Sequence, residues 1–222
     1  MKKRIVCFGD SNTWGYDAVT GGRYPDDVRW TGGLQRALGE SYTIIEEGLC
    51  GRTTVLEDPL NEGMCGLAYL YPCLMSHAPV DCLVIMLGTN DCKERFHMTS
   101  RNIADGMKRL VKKAGTVPAW REETKILVIA PGAIEKECEF SPAGLEMGVC
   151  SDRSKELAVF YRQMAEETGC DFLDAGEVVR MNRIDFMHLD EESHRRLAAR
   201  LADYFRKEEV TWERRLKISK GD

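Results

Sequence analysis

The residues that could carry chemistry are a serine near the start of the chain and a histidine near its end. Ser11 lies in Gly9-Asp10-Ser11-Asn12, directly after an apolar run that predicts a strand. A serine at the carboxyl end of a buried strand faces the crevice where open parallel sheets bind ligands. Its hydroxyl becomes an effective nucleophile only with a base in reach. Taken alone, Asp-Ser suits a helix N-cap or a turn equally well.

His188 is the strongest candidate for that base among the four histidines. It ends Asp185-Phe186-Met187-His188, and the three-residue offset lets the Asp185 carboxylate turn back onto the ring. There the carboxylate would fix the tautomer and stabilise an imidazolium. The others are interpreted differently: His77 as a helix C-terminal group, His97 as a weaker candidate for a substrate pocket, and His194 as a structural or surface residue.

Two further motifs offer hydrogen-bond donors to a developing oxyanion. Asn90 follows a strongly apolar run in Gly88-Thr89-Asn90-Asp91, and Gly51 lies in the segment after the second strand-like run. Oxyanion stabilisation needs two or three aimed donors. The N–H groups of Ser11 and Gly51 and the side-chain amide of Asn90 would supply three.

Substrate contacts are expected beside the nucleophile. Asn12 would form part of the adjoining wall, and Trp14 with Tyr16 could form an aromatic wall for an acyl or aryl group. Arg52 follows the oxyanion glycine and leaves two alternatives open. It could contact substrate, or it could pair with one of the acidic residues Glu46, Glu47 and Asp58.

The elements that must position these residues alternate along the chain. Short runs rich in Ile, Val and Leu predict buried strands, and amphipathic segments between them predict helices. Such alternation is typical of a parallel sheet covered on both faces. The strands are predicted over 4–8, 43–45, 81–87, 125–130 and 171–173, the helices over 30–38, 66–76, 103–113, 155–167 and 191–206, and long loops over 16–28, 133–149 and 175–187.

Composition favours one soluble domain spanning residues 1–222, with a charged tail over 208–222 that suits a frayed helix or a strap onto a partner subunit. The net charge of −5 offers no electrostatic case for nucleic acid or an anionic membrane. No apolar stretch has the length of a membrane span or a signal-peptide core, so we expect a cytoplasmic protein. Nine cysteines without a Cys-x-x-Cys pair favour neither disulfides nor a zinc site.

The four blocks together resemble the SGNH (GDSL-type) hydrolases over nearly the whole chain. The stretches 27–32, 46–54 and 85–91 are most similar to the arylesterase/acyltransferase branch of that family. Asn12 departs from the family signature, which has Leu at that position. A Gly-x-Ser-x-Gly motif is absent, which argues against the α/β-hydrolase fold.

The resemblance implies a flavodoxin-like, three-layer α/β/α sandwich around a five-stranded parallel sheet. It implies a serine esterase for short-chain carboxylic esters with no metal or organic cofactor, with Ser11, His188 and Asp185 as catalytic residues and Ser11, Gly51 and Asn90 as oxyanion donors. Acyl transfer to alcohols or peroxide and a homo-oligomer are expected from the same branch. Alternatives left open are a carbohydrate O-acetylesterase, a lysophospholipase or thioesterase, and a catalytically silent binding module.

Overall fold

The computed structural model describes the backbone of residues 1–219 and the side chains of residues 1–208. Its centre is a five-stranded parallel sheet made of β1 (Lys3–Gly9), β4 (Tyr42–Gly48), β5 (Cys82–Met86), β6 (Ile126–Ala130) and β7 (Asp171–Asp174). The strands lie in the order β4-β1-β5-β6-β7. When these five strands are numbered along the chain, the order is 2-1-3-4-5, the flavodoxin-like arrangement, whose switch point lies at the first strand. The expected fold class is confirmed.

Helices cover both faces of the sheet because the central strands are apolar on both sides. Every residue of β5 and β6 is buried. One core lies against α3 (Gly66–Ser76), α4 (Ser100–Gly115) and α6 (Ser151–Thr168). The other lies against α2 (Trp30–Leu38) and α7 (Glu191–Ser219). The three layers leave the carboxyl ends of the strands free to carry polar loops.

The predicted elements are all present, and the differences lie at their ends. The helices over 30–38 and 66–76 have the predicted bounds, whereas α4 begins three residues before the predicted residue 103. Its start is fixed by Thr99, whose side chain caps the Asn102 N–H in a capping box. Cap chemistry, which hydrophobic periodicity does not register, therefore sets this boundary.

The three predicted long loops contain short elements of their own. The first includes a small antiparallel pair, β2 (Tyr16–Asp17) and β3 (Gly22–Arg23), just after the short helix α1 (Ser11–Trp14). The second includes a 3₁₀ turn and α5 (Gly144–Met147), and the third begins with a 3₁₀ turn.

The charged tail continues α7 as helix to Ser219. The side chains of residues 209–219, and residues 220–222 altogether, lie outside the described part of the chain, and with them the predicted strap onto a partner. Among the described residues, no helix combines the length and apolar character needed to cross a membrane.

Candidate active site

The serine lies on a tight turn at the switch point of the sheet. β1 ends at Gly9, Asp10 caps α1 by accepting the Asn12 N–H at 3.0 Å, and Ser11 is the first helical residue. As a first-turn residue, Ser11 has a backbone N–H that the helix itself does not use. The turn is held close to β4, where a Cβ at Gly48 would lie 2.2 Å from the Trp14 nitrogen.

The histidine lies in a loop whose shape is held by the side chain of Asn182 and by an unusual backbone angle at Phe186. Asn182 donates to Asp185 Oδ1 at 2.8 Å and to the His188 carbonyl at 2.9 Å, and its Oδ1 accepts the N–H groups of Ile184 and Asp185. Phe186 has a φ of 61°, the left-handed region that non-glycine residues rarely adopt. This reversal brings Asp185 and His188 face to face. Asn182 was missed in the sequence, although Asn two or three residues before a turn is a usual turn signal.

The structure brings together the three residues predicted as catalytic. Ser11 Oγ lies 2.8 Å from His188 Nε2, and His188 Nδ1 lies 2.7 Å from Asp185 Oδ2. With Nδ1–H donating to the carboxylate, Nε2 is left to accept the Ser11 hydroxyl proton. All three residues are at least nine-tenths buried, so water screens these contacts weakly.

The Asp185 carboxyl is held in its charged form. Burial raises its pKa, but the hydrogen bond and charge of His188, with the N–H donors of Met187 and Asn182, outweigh burial and lower the pKa to about 2. The anion is therefore present throughout the neutral and mildly acidic range, where it can stabilise an imidazolium at His188.

The other two residues predicted as oxyanion donors lie in the segments that follow the two strands flanking β1. Gly51 follows β4 with a φ of 87°, and Asn90 follows β5. One N–H of the Asn90 amide donates to the Arg52 carbonyl at 3.2 Å, which leaves its second N–H for a ligand. Asp91 accepts both the N–H and the hydroxyl of Thr54, at 3.0 and 2.5 Å, and so ties the two loops together.

Asn12 and Arg52, predicted to bind substrate, are each about 3% exposed and engaged with protein atoms. The Asn12 amide donates to the Met187 carbonyl at 3.3 Å and accepts the Leu189 N–H at 2.9 Å. It thereby joins the serine turn to the histidine loop. The structure assigns Asn12 this bridging contact in place of an exposed wall.

Neither alternative for Arg52 describes its main contacts. Its Nη1 donates to the Gly9 and Glu47 carbonyls, and its guanidinium lies over the rings of Phe8 and Tyr69 at 4.3 and 5.2 Å. These contacts hold the segment around Gly51 against the ends of β1 and β4 and occupy the Arg52 guanidinium.

The two aromatic side chains predicted as a substrate wall have different neighbours. The Tyr16 ring packs on the His188 ring with centroids 4.5 Å apart. The half-buried Trp14 lies under the Arg23 guanidinium at 4.9 Å. Tyr16 is therefore in contact with the candidate base, and an aromatic wall for the acyl or aryl group stays a prediction.

Among the described residues, none of the other three histidines forms a hydrogen bond with Ser11. His194 is fully buried, and its Nδ1 accepts the Trp30 N–H at 3.2 Å. Burial lowers the pKa of His194 to about 4, so it is a neutral structural residue near pH 7. His97 is exposed. His77 Nε2 lies 2.6 Å from Glu47 Oε1, a contact that the interpretation as a helix-end group did not include.

We expect the buried carboxyl of Asp10 to weaken the fold as the pH rises. Burial raises its pKa to about 6 despite the N–H of Asn12 and the charge of His188. Because the folded-state pKa exceeds the unfolded one, the folded protein loses stability from this group between about pH 4 and 6. The free energy of unfolding of Asp10→Asn, relative to wild type, should therefore increase by up to about 3 kcal/mol from pH 4 to pH 8.

Urea unfolding at a series of pH values measures this difference, with Asp27→Asn as a control for losing an exposed carboxylate. A difference between Asp10→Asn and wild type that stays constant over the whole pH range would contradict the expectation.

Comparisons with known proteins identify the family of the chain. The sequence model of the GDSL-like lipase/acylhydrolase family matches residues 7–208. An aryl esterase of M. smegmatis is 38% identical, with a TM-score of 0.86 over 92% of this chain and 99% of that one. A carbohydrate acetylesterase from Sinorhizobium meliloti is also 38% identical, with a TM-score of 0.85 over 93% and 99%. A search of curated proteins finds no match.

A more distant structure, from the lipolytic G-D-S-L family of Veillonella parvula, is 18% identical with a TM-score of 0.65 and supports the fold alone. The family match covers most of the chain, and the SGNH resemblance inferred from the four sequence blocks is confirmed. The chain belongs to the GDSL-like lipase/acylhydrolase family.

Proposed function

We propose that the protein hydrolyses small carboxylic esters through an acyl-enzyme on Ser11. The observation that carries this proposal is the continuous contact from Ser11 Oγ to His188 Nε2, at 2.8 Å, and from His188 Nδ1 to Asp185 Oδ2, at 2.7 Å. This is the nucleophile–base–orienting carboxylate arrangement that activates a serine hydroxyl.

In the first half of the reaction His188 takes the Ser11 proton while Oγ attacks the ester carbonyl carbon. The carbonyl oxygen becomes an oxyanion facing the Ser11 and Gly51 N–H groups and the free amide N–H of Asn90. His188 then gives its proton to the leaving alkoxide, and the alcohol departs. A water molecule, activated by the same imidazole, releases the acid and restores Ser11.

Water and an alcohol enter this second half by the same route, so transfer of the acyl group to an alcohol or to peroxide is part of the proposal. The similarity to a carbohydrate acetylesterase favours a second candidate substrate class, acetylated sugars. The similarity to an aryl esterase favours small aromatic esters.

An ester panel tests the proposal and separates the two classes. Phenyl acetate, sugar acetates and p-nitrophenyl esters of increasing acyl length would be compared by kcat/KM, beside labelling with a fluorophosphonate. Covalent labelling of Ser11 together with turnover of the acetyl esters supports the proposal. A panel without turnover and a chain without label would refute it, and turnover confined to long acyl chains would favour the lysophospholipase or thioesterase alternative.

Replacing Asn90 by Ala is expected to lower kcat for p-nitrophenyl acetate by about 10²–10³-fold, with a much smaller change in KM. The reason is that the amide N–H meets the oxyanion, which carries full charge only as the transition state is approached. Steady-state kinetics of the purified variant measure the split between kcat and KM. Asn61→Ala, in an exposed part of a neighbouring loop, is the control, and a kcat for Asn90→Ala within a few-fold of wild type would remove Asn90 from the proposed oxyanion hole.

A further inference from the structure

A glutamate, a cysteine and a histidine that the proposed reaction does not use converge where the edge strand β4 meets α3. They are Glu47 near the end of β4, Cys73 in α3 and His77 at the end of α3. One carboxylate oxygen, the thiol sulfur and one ring nitrogen all lie within 4.8 Å of one another. We propose that these three side chains form a binding site for a thiophilic divalent metal ion of the zinc type.

The ligand set fits such an ion. Zinc takes Cys sulfur at about 2.3 Å and His nitrogen or carboxylate oxygen at about 2.0–2.2 Å, which places tetrahedral ligands roughly 3.5 Å apart. Calcium and magnesium prefer oxygen ligands alone. Three protein ligands leave the fourth position of a tetrahedral ion for water.

The backbone holds two of the ligands in register. Cys73 and His77 are four residues apart, and this spacing puts both side chains on one face of α3. Glu47 is held on the neighbouring strand, and its Oε1 already lies 2.6 Å from His77 Nε2. Helix and strand therefore meet at this point without a metal, so only small side-chain movements are needed to bind one.

The solvent exposure and the charges of the three side chains also suit a divalent metal ion. The side chains of Glu47 and His77 are 18% and 25% exposed, whereas Cys73 is 1% exposed, so the site opens to solvent above a buried sulfur. In the bound state the Cys73 thiolate and the Glu47 carboxylate would supply two negative charges to balance the two positive charges of the ion. A neutral His77 imidazole would be the third ligand.

The neighbouring groups define what else the ion would meet. Arg52 lies beside the cluster, where its Nη1 donates to the Glu47 carbonyl and its guanidinium lies 5.2 Å from the centre of the Tyr69 ring. Because zinc binds cysteine as the thiolate, metal binding should release the thiol proton of Cys73.

Titration of the reduced, chelator-treated full-length protein with Co²⁺ tests the proposal, because cobalt bound to a thiolate absorbs in the near ultraviolet by charge transfer. We expect one equivalent to bind with this absorption and Zn²⁺ to displace it. The absorption should be lost in Cys73→Ala, and the affinity should fall at least tenfold in Glu47→Gln and His77→Gln.

Matched controls are Cys65→Ala, at the start of the same helix, and His97→Gln, on the surface; both should bind cobalt like wild type. Glu47→Gln and His77→Gln change half-buried side chains and should fold. Their cobalt affinities therefore test the proposal even if Cys73→Ala does not fold. Wild-type protein without the charge-transfer band, a band that survives in Cys73→Ala, or unchanged affinity in both other ligand variants would overturn the proposal.

Discussion

Ser11→Ala is expected to lower the turnover of p-nitrophenyl acetate by at least about 10⁴-fold, since removal of a triad nucleophile leaves only binding and oxyanion stabilisation. The fold should be unaffected, because the Ser11 hydroxyl contacts His188 and supports no other element through a hydrogen bond among the described residues. Initial rates at saturating ester, normalised to folded protein by circular dichroism, measure the effect. Fluorophosphonate labelling should disappear in parallel.

Ser154→Ala provides the matched control. Ser154 is as buried as Ser11, at 4% exposure, but its hydroxyl accepts the Ile134 N–H at 2.9 Å and donates to the Ser151 carbonyl. Its loss should reduce the free energy of unfolding by about 1–3 kcal/mol and leave turnover per folded molecule near the wild-type value. Retention of most of the ester turnover by Ser11→Ala would refute Ser11 as the nucleophile.

His188→Ala is expected to be nearly as damaging, with a fall in kcat of about 10⁴-fold or more. Without the imidazole the Ser11 proton has no acceptor, and Asp185 is left as a buried anion without its main partner. The Asp185 carboxyl should also lose much of the stabilisation that lowers its pKa to about 2. The measurement is again kcat per folded molecule, with the thermal midpoint recorded separately.

The control for this second variant is His194→Ala, which removes a histidine six residues away on α7. His194 accepts the Trp30 N–H and packs edge-on against Tyr24, with centroids 5.4 Å apart. The variant should lose stability through the cavity and the unpaired N–H, yet keep its turnover. If His194→Ala abolished turnover and His188→Ala spared it, the base would be misassigned.

The sequence was most informative where one element decides the outcome by itself. The strand that ends at Gly9 and the helix over 30–38 follow from their own apolar patterns, and the polar blocks that follow strands necessarily gather at one edge of a parallel sheet. That is why Ser11, Asn90 and the Asp185–His188 loop could be assigned to one site before the fold was known.

Prediction was weakest where a side chain's direction depends on residues distant in the chain. Arg52 has the chemistry of a substrate ligand, but the rings of Phe8 and Tyr69 and the carbonyl of Gly9 draw it inward. Asn12 is likewise decided by the Met187 carbonyl, 175 residues away. The residues adjacent to Arg52 and Asn12 in the sequence do not identify these distant partners.

The Glu47–Cys73–His77 cluster is likewise predictable from the sequence only in part. The four-residue spacing of Cys73 and His77 is visible in the sequence and places them on one helical face. Glu47 joins them only because β4 forms the edge of the sheet beside that helix, a pairing that no spacing rule specifies. A search for Cys-x-x-Cys patterns overlooks this kind of site.

The side-chain amide of Asn12, on the turn that holds Ser11, forms hydrogen bonds with Met187 and Leu189, which flank His188. It therefore joins an early and a late segment of the chain. A ribosome must therefore synthesise the chain beyond residue 188 before the nucleophile and the base, 177 positions apart, can meet. Ester cleavage by a nascent or split chain would consequently report that the chain has folded. Two fragments divided within the exposed segment 122–124 should have no activity when separate and should regain turnover only when they reassemble.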